Sequence, residues 1–306
     1  MSTGTHEHGA DERNANVLVY VNGALRPRAE AMVSVFDSGF LMGDGVWEGL
    51  RLYNGSVPFL DDHLDRLVQG AKALDLEIGM DRVALTKAIY ETTRANEMGS
   101  GVHIRLMVTR GLKSTPFQGT SVNVGGATVV IAAEWKEPAP EVYERGLRLF
   151  TVHVRRGRPD VQDPGWNSHS KLNCVTASIQ AQKAGADEGL MLDPQGFVAT
   201  CNSTHFFVIR KGELWTSTGK YCLHGVTRGK VLELAREAGI VSRTHDFSLT
   251  QVYDADEAFC TGTYSGIIPV REVDGRAIGS GALPGPVTQQ IQALYREAIT
   301  RECGAV

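Results

Sequence analysis

Two stretches past the middle of the chain decide how it is read. They are Val198-Ala199-Thr200-Cys201-Asn202-Ser203-Thr204-His205-Phe206-Phe207 and, shortly after, His224-Gly225-Val226-Thr227-Arg228-Gly229. The first is an apolar strand, a short polar loop and a second apolar strand. The second places a glycine and a hydroxyl just ahead of the amphipathic run Val231, Leu232, Leu234 and Ala235, so a helix over 227–238 is expected to start there. A helix N-terminus offers unpaired amide N–H groups and a partial positive charge. A phosphate is stabilised there when a glycine lets the backbone approach. An ordinary Thr-capped helix has the same local sequence. Thr261-Gly262-Thr263 closes another apolar strand with two hydroxyls around a glycine, either a second anion contact or a plain β-turn. Arg66 could add a fixed charge for an anion, or stand solvated.

Outward from these stretches, the bulk properties are those of a globular chain. The 306 residues suffice for one large domain or two moderate ones. The net charge of -4, without a basic block, argues against nucleic acid as a partner. No apolar run reaches about 18 residues, so no membrane-crossing helix is expected. The opening Met1–Asn16 is polar and lacks the apolar core of a secretory signal. Five cysteines, Cys174, Cys201, Cys222, Cys260 and Cys303, are scattered without a Cys-x-x-Cys pair or zinc spacing. Reduced thiols, a cytoplasmic location and no metal are the expectation.

The chain divides into a disordered N-terminal arm over 1–16, a small domain over 17–135, a linker over 136–146 and a larger domain over 147–306. The abrupt Lys136-Glu137-Pro138-Ala139-Pro140 marks the boundary. Strands are expected at 17–21, 33–36, 46–53, 102–110 and 128–133, with Asn22-Gly23 and Asn54-Gly55 as turns. Asp61-Asp62 is expected to cap a helix, and a second helix covers 82–96. Beyond the linker, strands fall at 147–154, 189–192, 197–199, 205–209, 213–216 and 257–261. Pro159 to His169 reads as a polar loop. Helices are expected at 285–302 and at 172–184, the latter with apolar Leu172, Val175 and Ile179 along one face. Side chains alternate along a strand, so Trp47, Gly49 and Arg51 share one face, as do His103 and Arg105. The His103–Arg105 pair could orient a carboxylate or face solvent.

Gly43-Asp44-Gly45-Val46-Trp47-Glu48-Gly49-Leu50-Arg51, His63-Leu64-Asp65-Arg66-Leu67, Gly225-Val226-Thr227-Arg228 and Thr261-Gly262-Thr263 with Ile268-Pro269-Val270 occur in this order. From Val17 to the C-terminus the chain resembles the class IV pyridoxal-phosphate (PLP) enzymes. These include branched-chain and D-amino acid aminotransferases and aminodeoxychorismate lyases. The resemblance implies an α+β, two-domain fold type IV enzyme: a small N-terminal α/β sandwich and a larger β-rich C-terminal domain with flanking helices. It implies pyridoxal 5'-phosphate as cofactor and a homodimer. Arg66, Val226, Thr227 and Thr263 would hold the cofactor phosphate, and Trp47, Arg51, His103, Arg105, Tyr264 and Ser265 would line the substrate side. Lys171, in Ser168-His169-Ser170-Lys171-Leu172-Asn173-Cys174, stands where the family places its Schiff-base lysine. His169 is a candidate general base or a polar surface residue.

Two departures from the family stand out. The helix after Lys171 is shorter by about one turn, some 3.6 residues, and the polar loop before it is longer. Thr200 replaces the glutamate that holds the pyridine nitrogen; a hydroxyl is neutral and cannot keep a proton there by charge. The implied activity is transfer of an amino group between an α-amino acid, branched-chain ones included, and a 2-oxo acid. The alternatives are a PLP lyase or racemase, motivated by Thr200, or a PLP-binding protein with little catalysis.

Overall fold

The protein is described by a computed structural model covering residues 9–279 and 281–304. It forms two compact units, the first made of 9–137, 166–171 and 301–304, the second of 138–165, 172–279 and 281–300. Residues 166–171, placed by the sequence boundary in the later domain, therefore pack with the earlier one. Met1–His8, the start of the expected arm, lie outside the described residues. The rest of that arm has structure. Asp11 caps a 3-10 helix over Glu12–Asn16, and Asn14 exchanges two hydrogen bonds with the backbone of Trp135 at 2.8 and 2.9 Å. A side-chain amide thus pairs with the backbone as a neighbouring strand would.

In the N-terminal unit, β1 (Leu18–Val21) turns at Asn22-Gly23 into β2 (Ala24–Pro27). Both turn residues have positive φ, as a tight hairpin requires. A short helix α1 (Ser38–Met42) precedes β3 (Gly45–Leu52), α2 (Leu60–Ala73), α3 (Arg82–Ala95) and β4 (Val102–Thr109). A small ribbon pairs β5 (Leu112–Lys113) with β6 (Asn123–Val124), and β7 (Thr128–Trp135) completes the antiparallel sheet β2-β1-β7-β4-β3. Val102, Ile104, Leu106 and Val108 of β4 are buried, with Leu64 and Leu67 of α2 and Leu85 and Ile89 of α3 in one core. The period-two and helical patterns of the sequence thus meet on one sheet face.

Two local expectations fail here. The stretch 33–36 is not a strand; Val33, Val35 and Phe36 are exposed and make no sheet ladder. Asp61 and Asp62 do not cap α2, which begins a residue earlier. Phe59 holds the cap position at φ 55°, and its N–H donates to Glu302 instead. The two aspartates sit in the first turn, where they favour the helix dipole.

In the C-terminal unit the expected linker contains a helical turn, α4 (Glu141–Arg145), before β8 (Leu147–Thr151). The expected polar loop holds α5 (Pro159–Gln162), and α6 (Leu172–Lys183) leads to β9 (Glu188–Leu192). Then come β10 (Val198–Cys201), β11 (His205–Arg210), β12 (Glu213–Thr216), α7 (Val226–Glu237), β13 (Ser242–Thr244) and α8 (Leu249–Tyr253). The chain closes with β14 (Glu257–Gly262), β15 (Gly266–Val273), β16 (Arg276–Ala277) and α9 (Pro286–Cys303). The mixed sheet runs β10-β9-β8-β15-β14-β11-β12-β13, with β16 on β15. Its core joins Leu147, Leu190, Phe206, Val208, Ile268 and Val270.

The apolar face read on α6 points outward. Leu172 is 78 %, Val175 49 % and Ile179 46 % exposed, whereas Ala177 and Ala181 are buried. The reason is close approach. A Cβ on Gly189 of β9 would lie 3.1 Å from the Ala177 carbonyl oxygen and 3.0 Å from Val152. Only small residues fit between this helix and this strand.

Candidate active site

The residues of interest fall into two sets, one in each unit. In the N-terminal unit, β3 lies at the sheet edge, and residues 167–170 dock against it. Trp47 N–H donates to the Asn167 carbonyl at 2.9 Å and His169 N–H to the Gly45 carbonyl at 3.0 Å. The Asn167 amide donates to the Trp47 carbonyl at 2.5 Å, the Trp47 indole N–H to the Ser168 carbonyl at 3.0 Å, and Ser170 Oγ to the Gly43 carbonyl at 3.3 Å. Gly43 and Gly45 permit this approach. A Cβ at Gly45 would meet the Val108 carbonyl at 2.4 Å and the His169 ring at 2.6 Å. The edge strand is thereby covered, and the residue that follows, Lys171, is anchored in place.

Lys171 Nζ sits 5.6 Å from the centre of the Trp47 ring, and the Arg105 guanidinium stacks on the same ring at 3.8 Å. The register explains the meeting: Trp47 lies opposite Met107, Gly49 opposite Arg105 and Arg51 opposite His103, all on one face. A Cβ on Gly49 would lie 3.3 Å from His103 Nε2 and 3.5 Å from the indole, so this position leaves room for both rings. Among the described residues no carboxylate oxygen lies within 4.0 Å of the Arg105 guanidinium. Burial holds Arg105 below its ordinary value, with Glu48 opposing. Burial also lowers Lys136, and Arg105 adds to that shift. Burial first, then the Arg105 charge, lowers His169 below its ordinary value, and among the described residues its Nε2 has no hydrogen-bond partner. Arg51 is buried on this face, donating to the Lys136 carbonyl at 2.6 Å. A groove of about 480 Å³ runs over the sheet face, lined by Val19, Met107, Val130 and Ala132 with His169 and Asp37.

On the other face of β3, Glu48 is fully buried. It accepts hydrogen bonds from Arg66 Nε at 2.8 Å and Nη2 at 2.6 Å, and meets His63 Nδ1 at 2.7 Å. Burial pushes the Glu48 carboxyl up, but Arg66 and His63 together hold it below its ordinary value. Arg66 is thus neither mobile nor solvated; its guanidinium is aimed by a buried carboxylate.

In the C-terminal unit a second set forms an arc. Gly225 is the N-cap of α7 and makes no side-chain cap bond. Among the described residues neither the Val226 nor the Thr227 amide N–H has a hydrogen-bond partner. Thr227 is buried with its hydroxyl 3.5 Å from Tyr295 OH. β11 pairs with β14 so that His205 lies opposite Thr261. Thr261 is fully buried, and among the described residues its hydroxyl has no partner. Thr263 is half-buried in the turn beyond, followed by buried Tyr264 and Ser265; the Ser265 carbonyl accepts from Tyr143 OH at 2.7 Å. Buried Thr200 donates its hydroxyl to the Thr204 carbonyl at 2.8 Å. The nearby buried carboxylate is Glu188, which accepts from Ser203 Oγ and Thr204 Oγ1, both at 2.6 Å.

The sequence-predicted residues therefore sort cleanly. Trp47, Arg51, His103, Arg105 and Lys171 share one region of the N-terminal unit, and Arg66 stands behind β3. Thr200, Val226, Thr227, Thr263, Tyr264 and Ser265 belong to the C-terminal arc. Sequence reasoning passed over Glu48 and His63, which fix Arg66, although both lie in motifs it quoted. It also passed over Glu188, Thr204 and the clamp of His205 on Gly225, for which spacing gave no signal.

The sequence profile of the family described as amino-transferase class IV matches residues 45–273. The chain is 40% identical over 286 residues to "Branched-chain-amino-acid aminotransferase-like protein 2" of Arabidopsis thaliana, covering 93% of this chain but 50% of that protein. It thus spans about half the length of that relative. It is 38% identical to the "Putative branched-chain-amino-acid aminotransferase" of Methanocaldococcus jannaschii, covering 92% of this chain and 96% of the relative. Among solved structures it resembles a T.th. branched-chain amino acid aminotransferase complexed with N-(5'-phosphopyridoxyl)-L-glutamate, with a TM-score of 0.86, 32% identity and coverage of 94% and 95% of the two chains. The order of its motifs, its fold and these matches together place the chain in the class IV aminotransferase family.

Proposed function

We propose that the chain is a pyridoxal-phosphate-dependent aminotransferase that moves an amino group between an α-amino acid with an apolar, branched side chain and a 2-oxo acid. The observation that carries this reading is the sharing of Trp47 by Lys171 Nζ at 5.6 Å and an Arg105 guanidinium without a carboxylate partner at 3.8 Å. An amine and a largely buried cation on one aromatic face suit a substrate that has a reacting carbon and, on its side chain, a second carboxylate.

The C-terminal arc fits the cofactor. Thr261 has a buried hydroxyl without a partner, and the Val226 and Thr227 amides are unpaired, so three donors await an anion. Val226, Thr227, Thr261 and Thr263 would hold the phosphate there. The bound cofactor supplies an electron sink for the bond that breaks at the α-carbon. The chain's own residues do the rest. Lys171 Nζ is the amine that would hold the cofactor and carry the α-proton. Thr200, whose hydroxyl already donates to the Thr204 carbonyl at 2.8 Å, would bring no charge to the ring nitrogen. Arg105, with His103 beside it, clamps a second carboxylate when a dicarboxylic oxo acid is the acceptor, and the apolar groove along Val19, Met107, Val130 and Ala132 suits a hydrocarbon side chain. A second copy of the chain is the proposed partner. Five free cysteines suit a reducing compartment such as the cytoplasm.

Borohydride trapping and peptide mapping of the pure protein test the assignment. The label is expected on Lys171, and an added amino acid is expected to convert the cofactor to its amine form. Arg105→Met is expected to raise KM for a dicarboxylic 2-oxo acid by about 10- to 100-fold, the loss of a charge-assisted contact, and to leave a monocarboxylic acceptor nearly unaffected. Release of ammonia without any acceptor oxo acid would instead assign the chain to the lyases.

A further inference from the structure

His205 is not among the groups given a task above, yet it stands between the two unsatisfied donor sets of the arc. Its backbone is fixed by the β11–β14 ladder opposite Thr261. Its side chain crosses to the loop before α7, where Nε2 lies 2.6 Å from the Leu223 carbonyl. That carbonyl also accepts the Gly225 N–H at 2.9 Å. The imidazole fills the volume a side chain at 225 would need: a Cβ there would lie 2.3 Å from Cε1 and 2.6 Å from Nδ1. One residue earlier, Thr204 Cγ2 lies 3.5 Å from where a Cβ on Gly262 would stand. His205 and Gly225 are therefore a matched pair, ring against absent side chain.

We propose that His205 is a positioning residue that sets the spacing between the α7 N-terminus and the Thr261–Thr263 turn, and so the affinity of the arc for a phosphate ester. This inference rests on the reading of the arc as the cofactor's phosphate site. The physical argument concerns alignment. Gly225 has extended backbone, φ -65° and ψ 131°, and no capping side chain, so little within the loop itself fixes the direction of the Val226 and Thr227 amides. A glycine is the most permissive residue for such drift. The imidazole removes that freedom from outside by holding the Leu223 carbonyl and occupying the space beside Gly225. Backbone donors act on an anion only when they converge on it, and Thr261 Oγ1 sits on the strand that His205 pairs with.

The test compares full-length wild type with His205→Phe, which keeps the ring volume but loses the donor, and His205→Gln, which keeps a donor of comparable reach. Dissociation constants are measured for pyridoxal phosphate and for pyridoxal, and the 31P resonance of the bound phosphate is recorded. His205→Phe is expected to weaken pyridoxal phosphate by about tenfold and shift the 31P resonance, the effect of one hydrogen bond lost from the support. Pyridoxal, which has no phosphate, is expected to bind as in wild type, and His205→Gln to recover most of the loss. Equal weakening of both ligands, or of neither, overturns the proposal while leaving the cofactor reading intact. Wild type that takes up neither ligand overturns both. Should His205→Phe not fold, the pair His205→Ala/Gly225→Ala, in which the new methyl occupies part of the vacated space, takes its place with the same expected split between the ligands.

Discussion

A carboxylate with no water around it is stable only when its partners are fixed, and Glu48 shows what that arrangement contributes. Its two oxygens take both Arg66 donors and face His63, so removal of the charge leaves a guanidinium aimed at a neutral group. Glu48→Gln is expected to cost about 3–5 kcal/mol at neutral pH, as for other broken buried pairs. The pH dependence has a definite sign. The folded carboxyl lies below its ordinary value, so as pH falls the unfolded chain binds the proton first. The stabilisation is complete above the unfolded carboxyl value of about 4.3 and is lost as pH drops through the folded one. Urea melts of wild type and Glu48→Gln over a falling pH series should therefore converge in acid; a constant gap would refute the electrostatic origin. Little of this was legible in the sequence. Strand alternation says that Trp47 and Glu48 face opposite ways. It does not say that the buried side receives a charge, because the partners arrive from a helix whose rotation no local pattern fixes. By contrast, Trp47 and Arg105 were legible as members of shared strand faces, Trp47 with Gly49 and Arg51 and Arg105 with His103, and the antiparallel register brought them together.

At the scale of an element, α6 is the instructive error. Its position was readable, since the period of Leu172, Val175 and Ile179 is helical, but its orientation was not. Hydrophobic size normally marks the inner face, and here the inner face is Ala177 and Ala181 because the helix lies against the backbone of Gly189. Sequence pattern reports which residues are large, not how closely two backbones approach. The segment before α6 also takes a physical form: residues 167–170 run along the edge of β3 and are held there by five hydrogen bonds, so Lys171 follows a stretch anchored on the sheet. An added methylene group or two on the inner face should then be felt, and a polar change on the outer face should not. Ala177→Val is expected to cost about 1–3 kcal/mol by overpacking. Ile179→Ser is expected to stay within about 0.5 kcal/mol in the isolated chain. Urea unfolding of the two variants at dilutions where the chain is monomeric decides the matter; the reverse ranking would mean that the outer face packs within the chain.

For the molecule as a whole, the exposed apolar side chains are too many in too few places to be left to water. In the N-terminal unit Met32, Val35, Phe36 and Phe40 are 76 %, 63 %, 44 % and 75 % exposed within one short stretch. In the C-terminal unit the outer face of α6 adds Leu172, Val175 and Ile179. Scattered exposed hydrophobics are normal, but clusters mark surfaces that are covered in use. The same stretch was read from sequence as a strand on the strength of Val33, Val35 and Phe36, and it forms no ladder. We propose that both exposed faces make contact with a second copy of the chain. Light scattering coupled to size exclusion is expected to give twice the chain mass for wild type. Phe40→Asp and Ile179→Asp each place a charge in such a face, where leaving water unpaired costs several kcal/mol, and the double variant is expected to elute at the mass of one chain with its circular dichroism retained. A wild-type mass of one chain, or a double variant that still associates fully, would remove the dimer from the account and leave both clusters to a different partner.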